Sequence, residues 1–304
     1  MTMTGKRASG ILVVDKPPDI TSAGVVNRIK RFPEVKKIGH TGTLDPFATG
    51  VMVCPVHQAT RLSRFFLHGR KTYVAVMFLG IETDTQDGTG TVIESHELPE
   101  LDNRMIHAAV DRFQGEISQI PPSYSALKHR GKPLYEYARN GAPVQKPART
   151  VTIEQISIKS INLPEIRFTV RCSSGTYIRT LCADIGTALG CGAHLKQLRR
   201  IESSGFRIDE AEPLAELEAL AARGRLSDKI VPMARALRGM RAHIADKALT
   251  ERIKYGKIIY QHDVDGIPES DYIKIIDAQE NLLAVISPNP NGDRFDYCCV
   301  FHHA

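Results

Sequence analysis

Residues 39–50 read Gly39-His40-Thr41-Gly42-Thr43-Leu44-Asp45-Pro46-Phe47-Ala48-Thr49-Gly50. Three glycines and a proline in that span exclude a regular helix or a central strand. The stretch is therefore a shaped loop. Pro46 biases Asp45 toward extended backbone and holds the loop's one carboxylate off the regular elements. Ahead of it lie Arg28, Lys30, Arg31, Lys36 and Lys37, and behind it the apolar run Val51-Met52-Val53-Cys54. Spacing alone leaves two uses for it. One is an Asp-Pro turn of structural value only; the other is a loop that presents a single carboxylate beside a basic face.

Outward from the loop, residues 11–14 form a short apolar strand stopped by Asp15-Lys16-Pro17-Pro18. Thr21 or Ser22 caps a helix carrying Val25, Val26 and Ile29. Residues 59–67 predict a helix, and residues 73–79, apolar on both faces, predict a central strand covered on both sides. A polar turn follows at 83–88. Pro121-Pro122 and Tyr124 mark an ordered loop ahead of the basic cluster Lys128, His129, Arg130 and Lys132, and a helix at 135–139 ends at Asn140-Gly141. Basic residues interleaved with Tyr124, Tyr135 and Tyr137 suit an RNA surface, with charge for phosphates and rings for bases. Packing is the competing use of each ring. Strict alternation at 166–172 gives a half-buried strand, and the helix after it carries Ile178, Leu181, Ile185 and Leu189 on one stripe. A helix at 214–222 and another at 246–255, stopped by Gly256, precede short strands at 272–276, 282–286 and 295–301. Short strands at regular spacing suggest a small β-barrel.

The 304 residues are enough for one large domain and one small one. With 40 basic and 34 acidic residues the net charge is +6, which favours a polyanionic partner. The six cysteines lack paired CxxC spacing and read as buried thiols of a reducing compartment. Cys298, Cys299, His302 and His303 offer metal donors, but adjacent cysteines share one tetrahedral ion poorly, so no metal is expected. The start of the chain is short and polar and no run reaches membrane-spanning length, which points to the cytoplasm.

The 39–50 loop resembles the signature of the TruB family of tRNA pseudouridine synthases. Further resemblances follow in order: Val14-Asp15-Lys16-Pro17 with Thr21-Ser22, Lys71-Thr72-Tyr73, the polar turn 83–88, the block 113–139, Gly175-Thr176-Tyr177-Ile178-Arg179-Thr180-Leu181, and Leu198-Arg199-Arg200. They cover roughly residues 10–235. The resemblance implies an α+β fold. A pseudouridine-synthase-like catalytic domain (1–237), with RNA lying across its mixed, largely antiparallel sheet, would precede a small C-terminal β-barrel, PUA-like domain (238–304).

The implied reaction isomerises uridine to pseudouridine at position 55 in the T-loop of tRNA. It is redox-neutral and calls for no cofactor. Asp45 would be the nucleophile, with Arg179 beside it favouring the ionised form. Tyr73 would stack on the base and sit near C5 as proton acceptor or relay, while Tyr177 and Leu198 wall the pocket. His40 would fill the gap left when the nucleotide flips out. Lys16 supports the site with Pro17, and Lys128 belongs to the basic cluster facing RNA. The implied partner is the tRNA T-arm, bound by a monomer without an obligatory protein partner or a membrane. Two departures stand out: His57-Gln58 where the family has Gly-Glu, and Ser174 in place of a more basic residue. Two other functions compete, a guide-RNA-dependent pseudouridine synthase subunit and a tRNA-binding or tRNA-folding protein. The substantial segment between Leu79 and Thr150, and the absence of a long Lys-rich tail, weigh against the first. The intact Asp45, Tyr73 and Arg179 set weighs against the second.

Overall fold

The computed structural model describes residues 8–264, 272–290 and 292–301. His302 and His303, considered above as metal donors, lie outside the described residues. The chain begins with β1 (Gly10–Lys16), α1 (Ser22–Ile29), β2 (Thr49–Val56), α2 (Ser63–Leu67) and β3 (Lys71–Leu79). A hairpin of β4 (Ile81–Thr83) and β5 (Val92–Ser95) leads to α3 (Asn103–Asp111) and β6 (Gly115–Gln119). A second small hairpin, β7 (Lys128–His129) and β8 (Lys132–Pro133), runs into α4 (Leu134–Arg139). Then come β9 (Arg149–Asn162), β10 (Glu165–Cys172), α5 (Ile178–Ala188) and β11 (Ala193–Ser203). Short strands β12 (Phe206–Arg207), β13 (Glu212–Pro213) and β14 (Ile230–Pro232) and helices α6 (Leu214–Ala222) and α7 (Met233–Ala236) complete the larger unit.

Its sheet has ten strands in the order β13-β1-β2-β11-β3-β10-β9-β6, with β12 on β11 and β14 on β1. Only β1/β13 and β2/β11 are parallel, so the sheet is mixed and largely antiparallel. Helices α1, α3, α5 and α6 cover one face through Val25, Ile29, Ile106, Val110, Ile178, Leu181, Ile185, Leu214 and Leu217. β3 corrects the expectation of burial on both sides. Tyr73, Ala75, Met77 and Leu79 face those helices and are buried, whereas on the other face Val76 is buried but Thr72, Val74 and Phe78 are half-exposed. The strand is central, but among the described residues no helix covers its second face, where its cross-strand neighbours are Arg167 and Thr169 of β10 and Gln197 and Arg199 of β11.

The fold repays the chemistry of single residues near the loop. Thr21 caps α1, accepting from the Gly24 N–H at 2.9 Å, which frees Ser22 for a different task. The expected helix at 59–67 divides into a tight 3₁₀ turn, His57–Leu62, and α2. His57 opens that turn with φ +52, a left-handed conformation suited to the glycine the family carries there. A hydrogen bond from its N–H to the Lys37 carbonyl (2.8 Å) and a ring contact to the Glu34 carbonyl (3.0 Å) hold it in place.

Gly50 has φ +105, and a Cβ there would lie 2.2 Å from the Arg200 carbonyl oxygen and 2.8 Å from its nitrogen. β2 meets β11 in register here, Gly50 opposite Arg200, so neither backbone has room to move. Gly50→Ala should lower stability by about 3 kcal/mol or more, read as a shift in the urea midpoint. A shift near zero would show that this junction is loose.

The C-terminal unit is a curled five-stranded sheet in the order β15-β17-β18-β19-β16, from β15 (Arg241–Ile244), β16 (Ile259–Tyr260), β17 (Ile273–Ile276), β18 (Leu282–Pro288) and β19 (Arg294–Val300). Helix α8 (Lys247–Lys254), capped by Asp246, packs Leu249 and Ile253 onto its inner face. It is the half-barrel of a PUA-like domain. A separate core joins the two sheets: Ile11, Val13, Val51 and Val53 on the back of β1 and β2 pack with Leu282, Val285, Cys299 and Phe301.

Candidate active site

The 39–50 loop first runs beside β2, with the Gly39 N–H on the Pro55 carbonyl and the Thr41 N–H on the Val53 carbonyl, both 3.1 Å. It then turns away and is pinned from two sides. The Ser22 hydroxyl accepts from the Leu44 N–H at 2.8 Å and donates to the Leu44 carbonyl at 3.1 Å. The turn at Asp45 closes by the Ala48 N–H donating to the Asp45 carbonyl at 3.1 Å. Beneath it sit two buried cations. Lys16 Nζ donates to the carbonyls of Pro17 (2.8 Å), Pro46 (2.8 Å) and Ala48 (2.6 Å). Arg200, 1% exposed, donates to the carbonyls of Val51 (2.7 Å), Gly42 (3.0 Å) and Thr43 (3.4 Å). Burial lowers the Lys16 pKa to about 8, against the opposing pull of Asp19 and Asp45. Its protons all go to backbone, so Lys16 holds the loop from below instead of offering a free ammonium to substrate.

Asp45 emerges from this support toward Arg179 in the first turn of α5. Arg179 Nη2 donates to Asp45 Oδ1 at 3.2 Å, and Nε stands 3.0 Å from Oδ2, close enough to pair but out of line for a hydrogen bond. The guanidinium is itself locked: Nη1 donates to the Thr85 carbonyl and Nη2 to the Tyr124 carbonyl, both at 2.8 Å, and Nη1 lies 3.5 Å from Asp87 Oδ2. The Arg179 side chain is 4% exposed and that of Asp45 32%, so the carboxylate is the part of the pair that a substrate can reach. Its pKa lies above the ordinary carboxylate value. Burial is the main cause; Arg179 opposes it, the second carboxylate Asp87 adds to it, and Lys16 opposes it weakly. The expected pair is present, and burial outweighs it.

The other expected residues are distributed around and beyond this pair. Tyr73 and Leu198 share the Asp45 side of the sheet, since Tyr73 is opposite Arg200 and Ala75 opposite Leu198 on adjacent strands. Burial keeps the Tyr73 pKa above the usual phenol value, against the opposing pull of the neighbouring Arg200 charge. The phenol is neutral near pH 7, suited to relaying a proton. Leu198 also borders a cleft of about 430 Å³ with Phe47, Thr49, Val74 and Arg199. Tyr177 opens α5, its ring under the Arg149 guanidinium at 4.9 Å. His40 is kept neutral by burial and by the Arg200 charge, and its Nδ1 is buried without a partner among the described residues. Lys128 is exposed on the β7–β8 hairpin, outside this cluster.

Metal-type donors converge elsewhere among the described residues. Glu82, Glu94 and His96 meet on the β4–β5 hairpin, where His96 Nε2 already contacts the two carboxylates at 3.4 and 3.5 Å. Five of the six cysteines are buried and all six are free; burial pushes the Cys54 thiol up to about 12.

Comparison with known proteins matches this geometry to a family. Residues 30–178 fit the model of the TruB family pseudouridylate synthase N-terminal domain, and residues 179–238 that of the tRNA pseudouridylate synthase B C-terminal domain. A tRNA pseudouridine synthase B from Burkholderia pseudomallei (strain 668) is 41% identical over 286 residues, 93% of this chain and 94% of that protein. The chain belongs to the TruB family of pseudouridylate synthases. A tRNA pseudouridine synthase B from Geobacter sulfurreducens is 40% identical over 288 residues, covering 93% of this chain and 94% of that one. Among solved structures, a chain of a Cbf5-Nop10-Gar1 complex superposes with TM-score 0.75 at 27% identity, over 96% of this chain and 85% of the other.

Three residues at the centre carried no assigned role in the sequence reading. Asp87, with a 6% exposed side chain, accepts from the Thr85 (2.9 Å) and Thr89 (2.6 Å) hydroxyls and faces Arg179. It lay inside the polar turn 83–88, where an Asp is ordinarily a turn former. Arg200 alternates inward with Leu198, but a bulge between Leu195 and Gln197 breaks the alternation that would have shown it. Gln119 alternates inward with Ile117 at the end of β6 and is 1% exposed.

Proposed function

We propose that this chain converts uridine to pseudouridine in tRNA, at position 55 of the T-arm, as a cytoplasmic monomer that needs no protein partner or guide. The supporting observation is the solvent-facing Asp45 carboxylate held by the buried Arg179 on a loop with two cations beneath it. That arrangement offers a nucleophile fixed in position at the mouth of a site. The reaction breaks N1–C1′, turns the base and forms C5–C1′, while the C5 hydrogen leaves as a proton and N1 gains one. Atoms and electrons balance without a cofactor. Asp45 is the nucleophile, Tyr73 relays the C5 proton, Tyr177 and Leu198 wall the uracil, and His40 fills the space of the flipped nucleotide. Lys128 and its neighbours on the 120–148 segment contact phosphate. The catalytic domain ends near residue 237, and residues 238–304 add RNA contacts.

The similarity to a Cbf5 chain from a complex keeps a second reading in view, a subunit that works only within an assembly. Incubating the purified chain with an unmodified T-arm stem-loop and mapping pseudouridine separates the two. Modification by the chain alone is expected, with affinity falling about tenfold or more between 50 and 200 mM salt as counterions are released. A stem-loop left unmodified at every salt concentration, with activity restored by added guide RNA, would favour the second reading.

A further inference from the structure

Tyr177 begins α5 without any side-chain cap of its own. Its backbone is instead held from a distant strand. The Gln119 side chain accepts from the Tyr177 N–H at 2.8 Å and donates to the Tyr177 carbonyl at 3.0 Å. One amide thus grips both polar groups of one peptide residue, as a neighbouring strand would. The carbonyl it binds is also the one that accepts the first helical hydrogen bond, from the Leu181 N–H at 3.0 Å. Two residues on is Arg179. The chain leaving Gln119 returns to the same place, since the Tyr124 carbonyl accepts from Arg179 Nη2 and the Tyr124 hydroxyl donates to Asp84 at 3.1 Å. At the far end of the 120–148 segment, Arg149 donates to the Gly175 carbonyl and lies over the Tyr177 ring. Both roots of that segment therefore grip the turn that delivers Arg179.

We propose that Gln119 is a positioning residue, which fixes the entry of α5 so that Arg179 meets Asp45 and which ties that geometry to the root of the 120–148 segment. The proposal rests on the reading of Asp45 and Arg179 as the catalytic pair. Gln119 touches neither the carboxylate nor any reacting atom; it acts through the backbone of Tyr177. Asp45 is faced by Arg179 from α5, Asp87 from the turn after β4, Lys16 from β1 and Tyr73 from β3. Only the first of these depends on where α5 begins. Loosening that start weakens the guanidinium's hold while burial and Asp87 continue to favour the protonated acid, so the pH below which activity fails must rise.

The test uses the intact chain with unmodified tRNA, measuring affinity and single-turnover rate from pH 5 to 9. Gln119→Met removes both hydrogen bonds at similar volume. It should slow the reaction about 10- to 100-fold, the scale of a small misplacement, with tRNA affinity unchanged and the acidic limb moved upward. Gln119→Glu is isosteric and covers the case in which the methionine variant does not fold. As a carboxylate it still accepts from the Tyr177 N–H but repels the carbonyl; as a protonated acid it regains the donor. Its deficit relative to wild type should therefore shrink as pH falls, which a purely structural defect would not do. In an Arg179→Met background, Gln119→Met should add little. A wild-type rate and limb in Gln119→Met, a loss wholly accounted for by affinity, or the full loss repeated in the Arg179→Met background would overturn the proposal. An Arg179→Met enzyme with wild-type behaviour would overturn the site reading beneath it.

Discussion

Asp45→Asn should bind tRNA nearly as tightly as the wild type and form no measurable pseudouridine at any pH. The expected loss is about four orders of magnitude or more, the size seen when a nucleophile is removed. Binding should persist because the loop does not depend on the carboxylate for its shape. Ser22, Lys16 and Arg200 hold the main chain of residues 42–51, and none of those hydrogen bonds uses the Asp45 side chain. An amide of the same size leaves that lattice intact and still accepts one hydrogen bond from Arg179. Titration cannot turn it into a nucleophile. Single-turnover assays at saturating enzyme decide the matter. Residual turnover within about tenfold of wild type, too small a loss for a missing nucleophile, would move the chemistry to another residue.

Arg179→Met should slow the reaction by about two to three orders of magnitude and move the acidic limb of its pH profile upward. The sign follows from the groups present. Burial raises the Asp45 pKa and Asp87 raises it further, while Arg179 is the chief group that lowers it. Without Arg179 the carboxylate takes up its proton at higher pH, and the active ionised form is lost earlier as pH falls. Two carboxylates, Asp45 and Asp87, would then share a site with Lys16 as the remaining counter-charge among the described residues acting on Asp45, and Lys16 is committed to three carbonyls. Arg179→Lys should recover only part of the rate. A point charge cannot span Asp45, Thr85, Tyr124 and Asp87 as the planar guanidinium does. A methionine variant whose limb stays in place would show that Asp45 is ionised by other means.

The parts of this fold that were readable from sequence are those where one local rule acts alone. Alternation gave β10, a stripe gave α5, the Asn140-Gly141 stop gave the end of α4, and glycines with Pro46 gave the loop. The misjudged face of β3 shows the limit of that reading. Val74 and Phe78 are as apolar as a covered strand requires, yet whether a helix covers them depends on where α1, α3, α5 and α6 go, and all four lie on the Tyr73 side. The pairing of Asp45 with Arg179 came from the family resemblance, since 134 positions separate them along the chain. The hidden supports were silent for a different reason. Arg200, Asp87 and Gln119 are polar residues whose partners are backbone groups or remote side chains, and no periodicity marks such a partner. His57 is the converse case, since the sequence signalled a departure there and the backbone kept the glycine-like turn.

The core shared by the two sheets makes β2 a common shaft. Its first residues continue directly from the Asp45 loop, Met52 and Cys54 on one face join the core beneath the helices, and Val51 and Val53 on the other face carry the C-terminal sheet. Lys274 adds a fastening from that sheet by donating to the carbonyls of Ala234 (2.8 Å) and Leu237 (3.0 Å). Val51 and Val53 lie two and four residues into that strand, so the C-terminal sheet packs on it within about 13 Å of the end of the loop. An RNA that touched both sheets would have to present its target uridine and its second contact at the spacing this shared core sets.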